Sequence, residues 1–193
     1  MKPEKKIEVD YYGEISAHIK ELIIANLPDS KNYRIEILIG ELYSALNTLI
    51  ANGALSGSEL LKFGRKAPRL FLDITLVIEN VKTGKFELVI FEIKKKKRVG
   101  LNELSQLIGY CLVSKSKFGI LMNVDNAISR ELSDILDADP DLTKIARVID
   151  EKKIIHRLGI MTWNSSTHKI GYIEAGCIKT IPELVKKIVL NLE

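Results

Sequence analysis

The clearest pattern in the chain is a pair of apolar runs separated by a short polar break. Residues 69–79 and 86–93 are rich in Leu, Ile, Val and Phe, and the segment 80–85 between them reads Asn-Val-Lys-Thr-Gly-Lys. β-Branched and aromatic residues favour strands, and a short break containing glycine favours a turn between antiparallel strands. The pattern therefore predicts a β-hairpin from Arg69 to Lys97, with Val81 to Gly84 as its loop.

The loop length decides which residues of the two strands face each other. If position 80 pairs with position 85, Asp73 lies directly opposite Glu92, and Lys94 shares the face of Glu92 because side chains alternate with period two. Both faces of the hairpin are otherwise apolar, as in strands at the centre of a covered sheet. Two acids that face each other destabilise a sheet unless a cation lies between them. That cation could be the Lys94 ammonium group or a divalent metal held by carboxylate oxygens.

Apolar residues at helical spacing predict helices on both sides of this hairpin, and shorter apolar runs predict further strands. The segment 52–69 mixes Gly, Ser and Pro with Leu60-Leu61-Lys62-Phe63, so it is interpreted as a loop holding a short strand or a helical turn. The other predicted elements are helices over 10–26, Tyr33–Ala51, about 102–113, 127–136 and from the capping-box pattern at Thr180 onwards, a strand over 118–124, a loop over 137–141, and a second hairpin of 154–163 and 169–174.

Composition narrows the class of protein only slightly. The chain has 193 residues, a net charge of +4 and 46% hydrophobic residues, which is typical of one globular domain with mild affinity for polyanions. The absence of a long apolar run predicts a soluble cytoplasmic protein, in the host cytoplasm if the source is a virus. Cys111 and Cys177 are isolated and show no metal-ligand spacing. Abundant Ile, Lys and Glu with one glutamine resembles a thermophile composition.

The charged residues of the hairpin and the helix after it resemble a known nuclease family. Asp73, followed by Glu92-Ile93-Lys94, is similar to the motif of the PD-(D/E)XK nuclease superfamily. Gln106 and Tyr110 resemble the Gln-x-x-x-Tyr element of its RecB-like branch, of the archaeal or archaeal-virus type. The resemblance covers residues 33–125, and two cysteines are too few for the iron–sulfur cluster that some members carry. Leu72 stands where the motif has proline.

The resemblance implies a fold. It is a restriction-endonuclease-like α/β core, a mixed central sheet flanked by helices, to which residues 126–193 would add a C-terminal β-hairpin and helix. It also implies a further acid from the helix before the hairpin, for which Glu41 is the first choice and Glu36 the second.

The resemblance further implies an activity, the hydrolysis of DNA phosphodiester bonds in repair, recombination or replication. Mg²⁺, replaceable by Mn²⁺, would be held by Glu41, Asp73, Glu92 and the backbone carbonyl of Ile93. Lys94 would orient water or stabilise negative charge. The remaining assigned residues are Gln106 and Tyr110 as catalytic positioning groups and Lys95, Lys96, Lys97 and Arg98 as contacts to the nucleic acid.

Three other interpretations of these residues stay open. Asp73, Glu92 and Lys94 could form a purely structural ion-pair cluster. The chain could be a DNA-binding protein that has the nuclease fold without catalysis. It could also be an assembly protein, and a homodimer is compatible with the long hairpin.

Overall fold

A mixed β-sheet of seven strands runs through the centre of the protein, in the order β1-β2-β3-β4-β6-β5, with β7 paired to the end of β6. The computed structural model describes residues 6–149 and 151–193. The strands are β1 (Tyr33–Glu41), β2 (Phe71–Asn80), β3 (Phe86–Lys94), β4 (Phe118–Val124), β5 (Lys144–Ile149), β6 (Lys152–Asn164) and β7 (Lys169–Gly176). The helices are α1 (Tyr12–Asn26), α2 (Leu42–Ala51), α3 (Ser58–Gly64), α4 (Leu101–Ser114), α5 (Arg130–Ala138) and α6 (Ile181–Leu192).

Helices cover both faces of the sheet, which confirms the predicted α/β class. On one face, α1 and α6 pack their apolar stripes on Ile74, Phe91 and other strand residues. On the other face, α2, α4 and α5 pack on Val77, Ile90 and their neighbours. Strands covered on both sides are apolar on both sides, as β2 and β3 are.

The predicted first hairpin is confirmed in position and register. β2 and β3 pair antiparallel from Glu79 opposite Phe86 to Ile74 opposite Phe91. The backbone N–H of Asn80 donates to the carbonyl of Lys85 at 2.9 Å and closes the loop.

The predicted helix over Tyr33–Ala51 is wrong in its first half. Tyr33 to Glu41 form strand β1, which pairs antiparallel with β2, and only Leu42 to Ala51 are helical. Ile35 and Ile37 alternate with polar residues, so the segment also satisfies strand spacing, and pairing with β2 satisfies its backbone groups. Gly40 has a φ of 93°, a conformation that favours glycine and separates the strand from the helix.

The other predicted elements are confirmed with small shifts, and one strand was missed. The helix predicted over 127–136 is α5, and the second hairpin is β6 and β7. The ambiguous segment 52–69 contains the short helix α3, and the predicted loop over 137–141 includes the end of α5 and the start of a 3-10 helix, Pro140–Thr143. Strand β5 was not predicted. The confirmed elements with nearly the predicted bounds are α1, α4, β4 and α6.

Candidate functional site

An irregularity in β2 positions Asp73. Leu38 of β1 pairs with Thr75, but Gly40 pairs with Leu72, so Ile39 alone faces the two residues Asp73 and Ile74. This two-against-one arrangement is a β-bulge, which redirects the side chains around it. Its effect is visible in the cores, because Leu72 and Ile74 lie on opposite faces of the sheet although alternation would place them on the same face.

Asp73 uses both carboxylate oxygens to join β2 to its neighbours. The Tyr12 hydroxyl, from the first turn of α1, donates to Oδ1 at 2.5 Å. The backbone N–H of Ile93 donates to Oδ2 at 2.8 Å. The ladder between β2 and β3 ends at Ile74 and Phe91, so the Asp73 side chain continues the connection where the backbone pairing ends. Burial and the Asp73 carboxylate together raise the pKa of Tyr12, which keeps its hydroxyl protonated as a donor.

Glu92 and Lys94 form a buried ion pair at the end of β3. Their side chains meet at 2.5 Å, and Glu92 is only 1% exposed. The pKa of Glu92 is raised to about 7, mainly by burial and in smaller part by the charges of Asp73 and Glu8. The hydrogen bond from Lys94 acts in the opposite direction. Burial is the largest single influence on the pKa of Lys94 and acts to lower it, but the hydrogen bond to Glu92 and the negative charges of Glu92, Asp73 and Glu8 together raise it. In this structure, Lys94 is therefore the cation that Glu92 requires.

The three residues of the predicted motif lie together, but Asp73 takes no part in the ion pair of Glu92 and Lys94. Among the described residues, no hydrogen bond or ion pair joins Asp73 to Glu92 or Lys94. Asp73 instead affects Glu92 through its charge, and it holds the backbone of the residue between Glu92 and Lys94.

Two residues that the sequence did not indicate, Glu8 and Tyr12, complete the surroundings. Glu8 lies in a 3-10 helix before α1, and its carboxylate accepts from the backbone N–H of Lys95 at 3.0 Å. Its negative charge raises the pKa values of Glu92, Lys94 and Tyr12. A cleft of about 510 Å³ opens here, lined by Lys6, Ile7, Glu8, Val9, Tyr12 and Lys95. Tyr12, which lines this cleft, donates its hydroxyl to Asp73, so the cleft lies next to the motif.

The predicted helix-borne acid is wrong, because neither Glu41 nor Glu36 lies on a helix. Glu41 ends β1 and accepts a hydrogen bond from the Ser44 hydroxyl. Glu36 lies opposite Val77, four residues along β2 from Asp73, which is about 13 Å at the rise of a strand. Within residues 6–149 and 151–193, no three His, Cys, Asp or Glu side chains form a group that could hold a metal ion.

Gln106 and Tyr110 lie on α4, as predicted, off its buried face. The Gln106 amide donates to the Tyr110 hydroxyl at 2.8 Å. In the described part of the chain, neither side chain has a hydrogen bond to Asp73, Glu92 or Lys94, so their predicted role remains a prediction.

The basic run after β3 divides into two lysines that are paired with acids and two cations that are not, among the described residues. Lys95 binds the Tyr11 hydroxyl at 2.8 Å and Asp125 at 2.9 Å, and Lys96 binds Glu103 at 2.6 Å. Lys97 and Arg98 are exposed, and neither has an ion pair among the described residues. The cations free to contact a nucleic acid next to the motif are therefore Lys97 and Arg98.

The groups at this site are oxygen ligands of the kind that a hard divalent cation binds. Asp73 and Glu92 supply carboxylates and Ile93 a backbone carbonyl, which are the oxygen ligands that Mg²⁺ uses. A buried carboxylate whose pKa is raised to about 7 also gains from a nearby positive charge. Glu8, whose negative charge acts on Glu92, is a further acid near these groups.

Comparison of the chain with family models, with curated proteins and with solved structures found no match. Across the described residues, no helix combines the length and the apolar character needed to cross a membrane.

Proposed function

We propose that this protein is a metal-dependent nuclease that hydrolyses DNA phosphodiester bonds at Asp73, Glu92 and Lys94. The observation that carries the proposal is the buried Glu92–Lys94 pair beside a second acid at the end of the central hairpin. Two buried ions cost several kcal/mol each in desolvation, and their attraction often fails to repay that cost. Such a pair therefore adds little to stability by itself, and the Asp73 carboxylate beside it adds a like charge next to Glu92.

A second buried pair on the same strand shows what distinguishes this one. Glu87 is 5% exposed and pairs with Lys117, a lysine before β4 whose side chain is 37% exposed, so β3 carries a buried glutamate paired with a lysine near each end. Only the pair at Glu92 lies beside Asp73, whose partner Tyr12 lines the cleft of about 510 Å³. The Glu87 pair is thus an internal reference for a structural role.

The mixed sheet with helices on both faces supports a restriction-endonuclease-like core. In this proposal, the hairpin and α4 supply the residues that match the PD-(D/E)XK motif and the RecB-like element. Strands β6 and β7 and helix α6 are the additions after the shared core.

Each residue would have a distinct part in hydrolysis. Asp73, Glu92 and the Ile93 carbonyl would hold Mg²⁺ or Mn²⁺, which supplies an acidified water and neutralises charge on the phosphate. Tyr12 and the Ile93 N–H would hold the Asp73 carboxylate in one orientation. Lys94 would orient the attacking water and stabilise developing negative charge. Gln106 and Tyr110 would position a phosphate or water, and Lys97 and Arg98 would contact the backbone.

The proposal is tested by incubating labelled linear, flap, nicked and four-way-junction DNAs with the purified protein in Mg²⁺, Mn²⁺ or EDTA. We expect cleavage of at least one of these DNAs with either metal, no cleavage in EDTA, and none by Asp73→Asn. Equal cleavage by Asp73→Asn would contradict the assignment.

A DNA-binding protein without catalysis is the second candidate, favoured by the absence of a three-acid group from the described residues. In the same experiment, such a protein would bind DNA without cutting it, in Mn²⁺ as well as in Mg²⁺.

The pKa of Glu92 predicts how cleavage depends on pH. Because its folded-state pKa is raised to about 7, the carboxyl is largely protonated in more acidic solution. Mg²⁺ binds the ionised form, so a proton must be released when the metal binds below this pKa. We expect the apparent Mg²⁺ affinity to fall about tenfold per pH unit below about 7, because one proton is exchanged. Mg²⁺ titrations of the cleavage rate at several pH values measure this slope, and a flat profile would contradict it.

A further inference from the structure

A second cleft, of about 380 Å³, lies between the chain after α3 and the C-terminal end of α4. Its lining contains four basic side chains and no acid, which distinguishes it from the cleft beside Asp73, where Glu8 is present. The lining residues are Lys62, Phe63, Arg65, Lys66, Pro68, Val113 and Lys115.

The four cations of this basic cleft, Lys62, Arg65, Lys66 and Lys115, are exposed. Within residues 6–149 and 151–193, none of the four forms a salt bridge or a side-chain hydrogen bond. Many other lysines and arginines are paired with acids, such as Lys96 with Glu103 and Lys117 with Glu87. Like charges around one concavity repel each other and attract anions from solution. None of the contacts described within the fold is stabilised by this cluster of cations, whereas a bound polyanion would be.

The floor of the basic cleft is apolar. Phe63 packs against Phe86 with ring centroids 5.4 Å apart, and it remains half-buried. Val113, at the end of α4, is 56% exposed. Cations around an apolar, partly aromatic floor suit a nucleic acid, whose phosphates are charged and whose sugars and bases offer flat surfaces.

The position of the basic cleft relative to the motif fits a continuous strand of nucleic acid. Helix α4 begins next to Lys97 and Arg98 and ends at the cleft, and its 14 residues span about 21 Å. Gln106 and Tyr110 lie between the two ends. Phosphates follow each other by about 3.4 Å per strand of duplex, so the helix covers about six of them.

We propose that the basic cleft binds the phosphate backbone of a nucleic acid about six nucleotides from the point of cleavage. This inference rests on the proposed function for the position of the cut. The binding itself is a separate property of the cleft.

The test is the salt dependence of DNA binding, measured by fluorescence anisotropy in EDTA so that no cleavage occurs. The cleft variant combines Lys62→Gln, Arg65→Gln, Lys66→Gln and Lys115→Asn; asparagine tolerates the φ of 61° at position 115. Its matched control removes the same number of positive charges from cations paired elsewhere on the surface. The control combines Lys20→Gln, Arg130→Gln, Lys144→Gln and Lys187→Gln.

In the cleft variant, we expect the slope of log affinity against log salt to become shallower by about 3, since each duplex phosphate contact contributes about 0.9. Affinity at low salt should fall at least tenfold, and the control variant should stay close to the wild type. Equal loss in both variants, an unchanged slope, or a wild type that binds DNA without salt dependence would overturn the inference. A further test is competition by a mononucleotide. If it competes as strongly per phosphate as the oligonucleotide does, the cleft binds single phosphates and the inference is overturned.

Failure of the nuclease proposal gives a different result. If the wild type cuts no DNA but the cleft variant alone loses salt-dependent binding, the cleft binds nucleic acid and the assignment of Asp73, Glu92 and Lys94 is wrong.

Discussion

Replacing Lys94 with methionine is expected to lower the single-turnover rate of DNA cleavage at least about 100-fold, the scale of losing one group that stabilises developing charge. Methionine keeps most of the side-chain volume but removes the ammonium group 2.5 Å from Glu92. DNA binding should be retained, because Lys94 is buried and Lys97, Arg98 and the basic cleft remain. The measurement is cleavage at saturating protein, with anisotropy as the binding control.

Lys117→Met is the matched variant. It removes the half-buried lysine that pairs with Glu87, the other buried glutamate of β3, at a distance from Asp73. We expect it to cleave DNA at close to the wild-type rate. If both lysine variants lose cleavage equally, Lys94 has only a structural role.

The same Lys94→Met substitution is expected to destabilise the fold in a pH-dependent way, by about 3–5 kcal/mol in mildly alkaline solution, because it leaves a buried carboxylate without its partner. Lys94 lowers the pKa of Glu92, so its removal should raise that pKa further above the ordinary value of 4.5. A carboxyl whose folded-state pKa is raised contributes stability below its unfolded-state pKa and loses it as the pH rises through the folded-state pKa. The deficit of the variant should therefore be small in acid and grow as the pH rises through about 7.

Urea unfolding of the wild type and the variant across this pH range measures the deficit. The double variant Glu92→Gln with Lys94→Met has no ionisable carboxyl at position 92. Its stability relative to the wild type should therefore not fall steeply above neutral pH. If the loss of stability in Lys94→Met does not vary with pH, the ionisation of Glu92 is not its cause.

The sequence was sufficient for the hairpin because its information is local. The two apolar runs and the loop from Val81 to Gly84 determine the register, and that register carries Asp73 to the end of β3 that holds Glu92 and Lys94. The buried faces of α1, α4 and α6 are equally local, since each follows from helical spacing.

The surroundings of the motif could not be predicted, because they depend on contacts between distant parts of the chain. Tyr12 reaches Asp73 across 61 positions, and Glu8 reaches the backbone of Lys95 across 87. The bulge at Asp73 exists only because β1 pairs with β2, and β1 itself was interpreted as helix. Glu41 was expected on a helix for the same reason, and it instead ends β1.

The most direct test of the central claim compares two glutamates on the same strand. Glu92→Gln and Glu87→Gln each neutralise a buried acid of β3 that is paired with a lysine. With Mg²⁺ and whichever DNA the wild type cuts, we expect cleavage to be lost in Glu92→Gln and retained in Glu87→Gln. Equal cleavage by the two variants, or wild-type cleavage that persists in EDTA, would contradict the account.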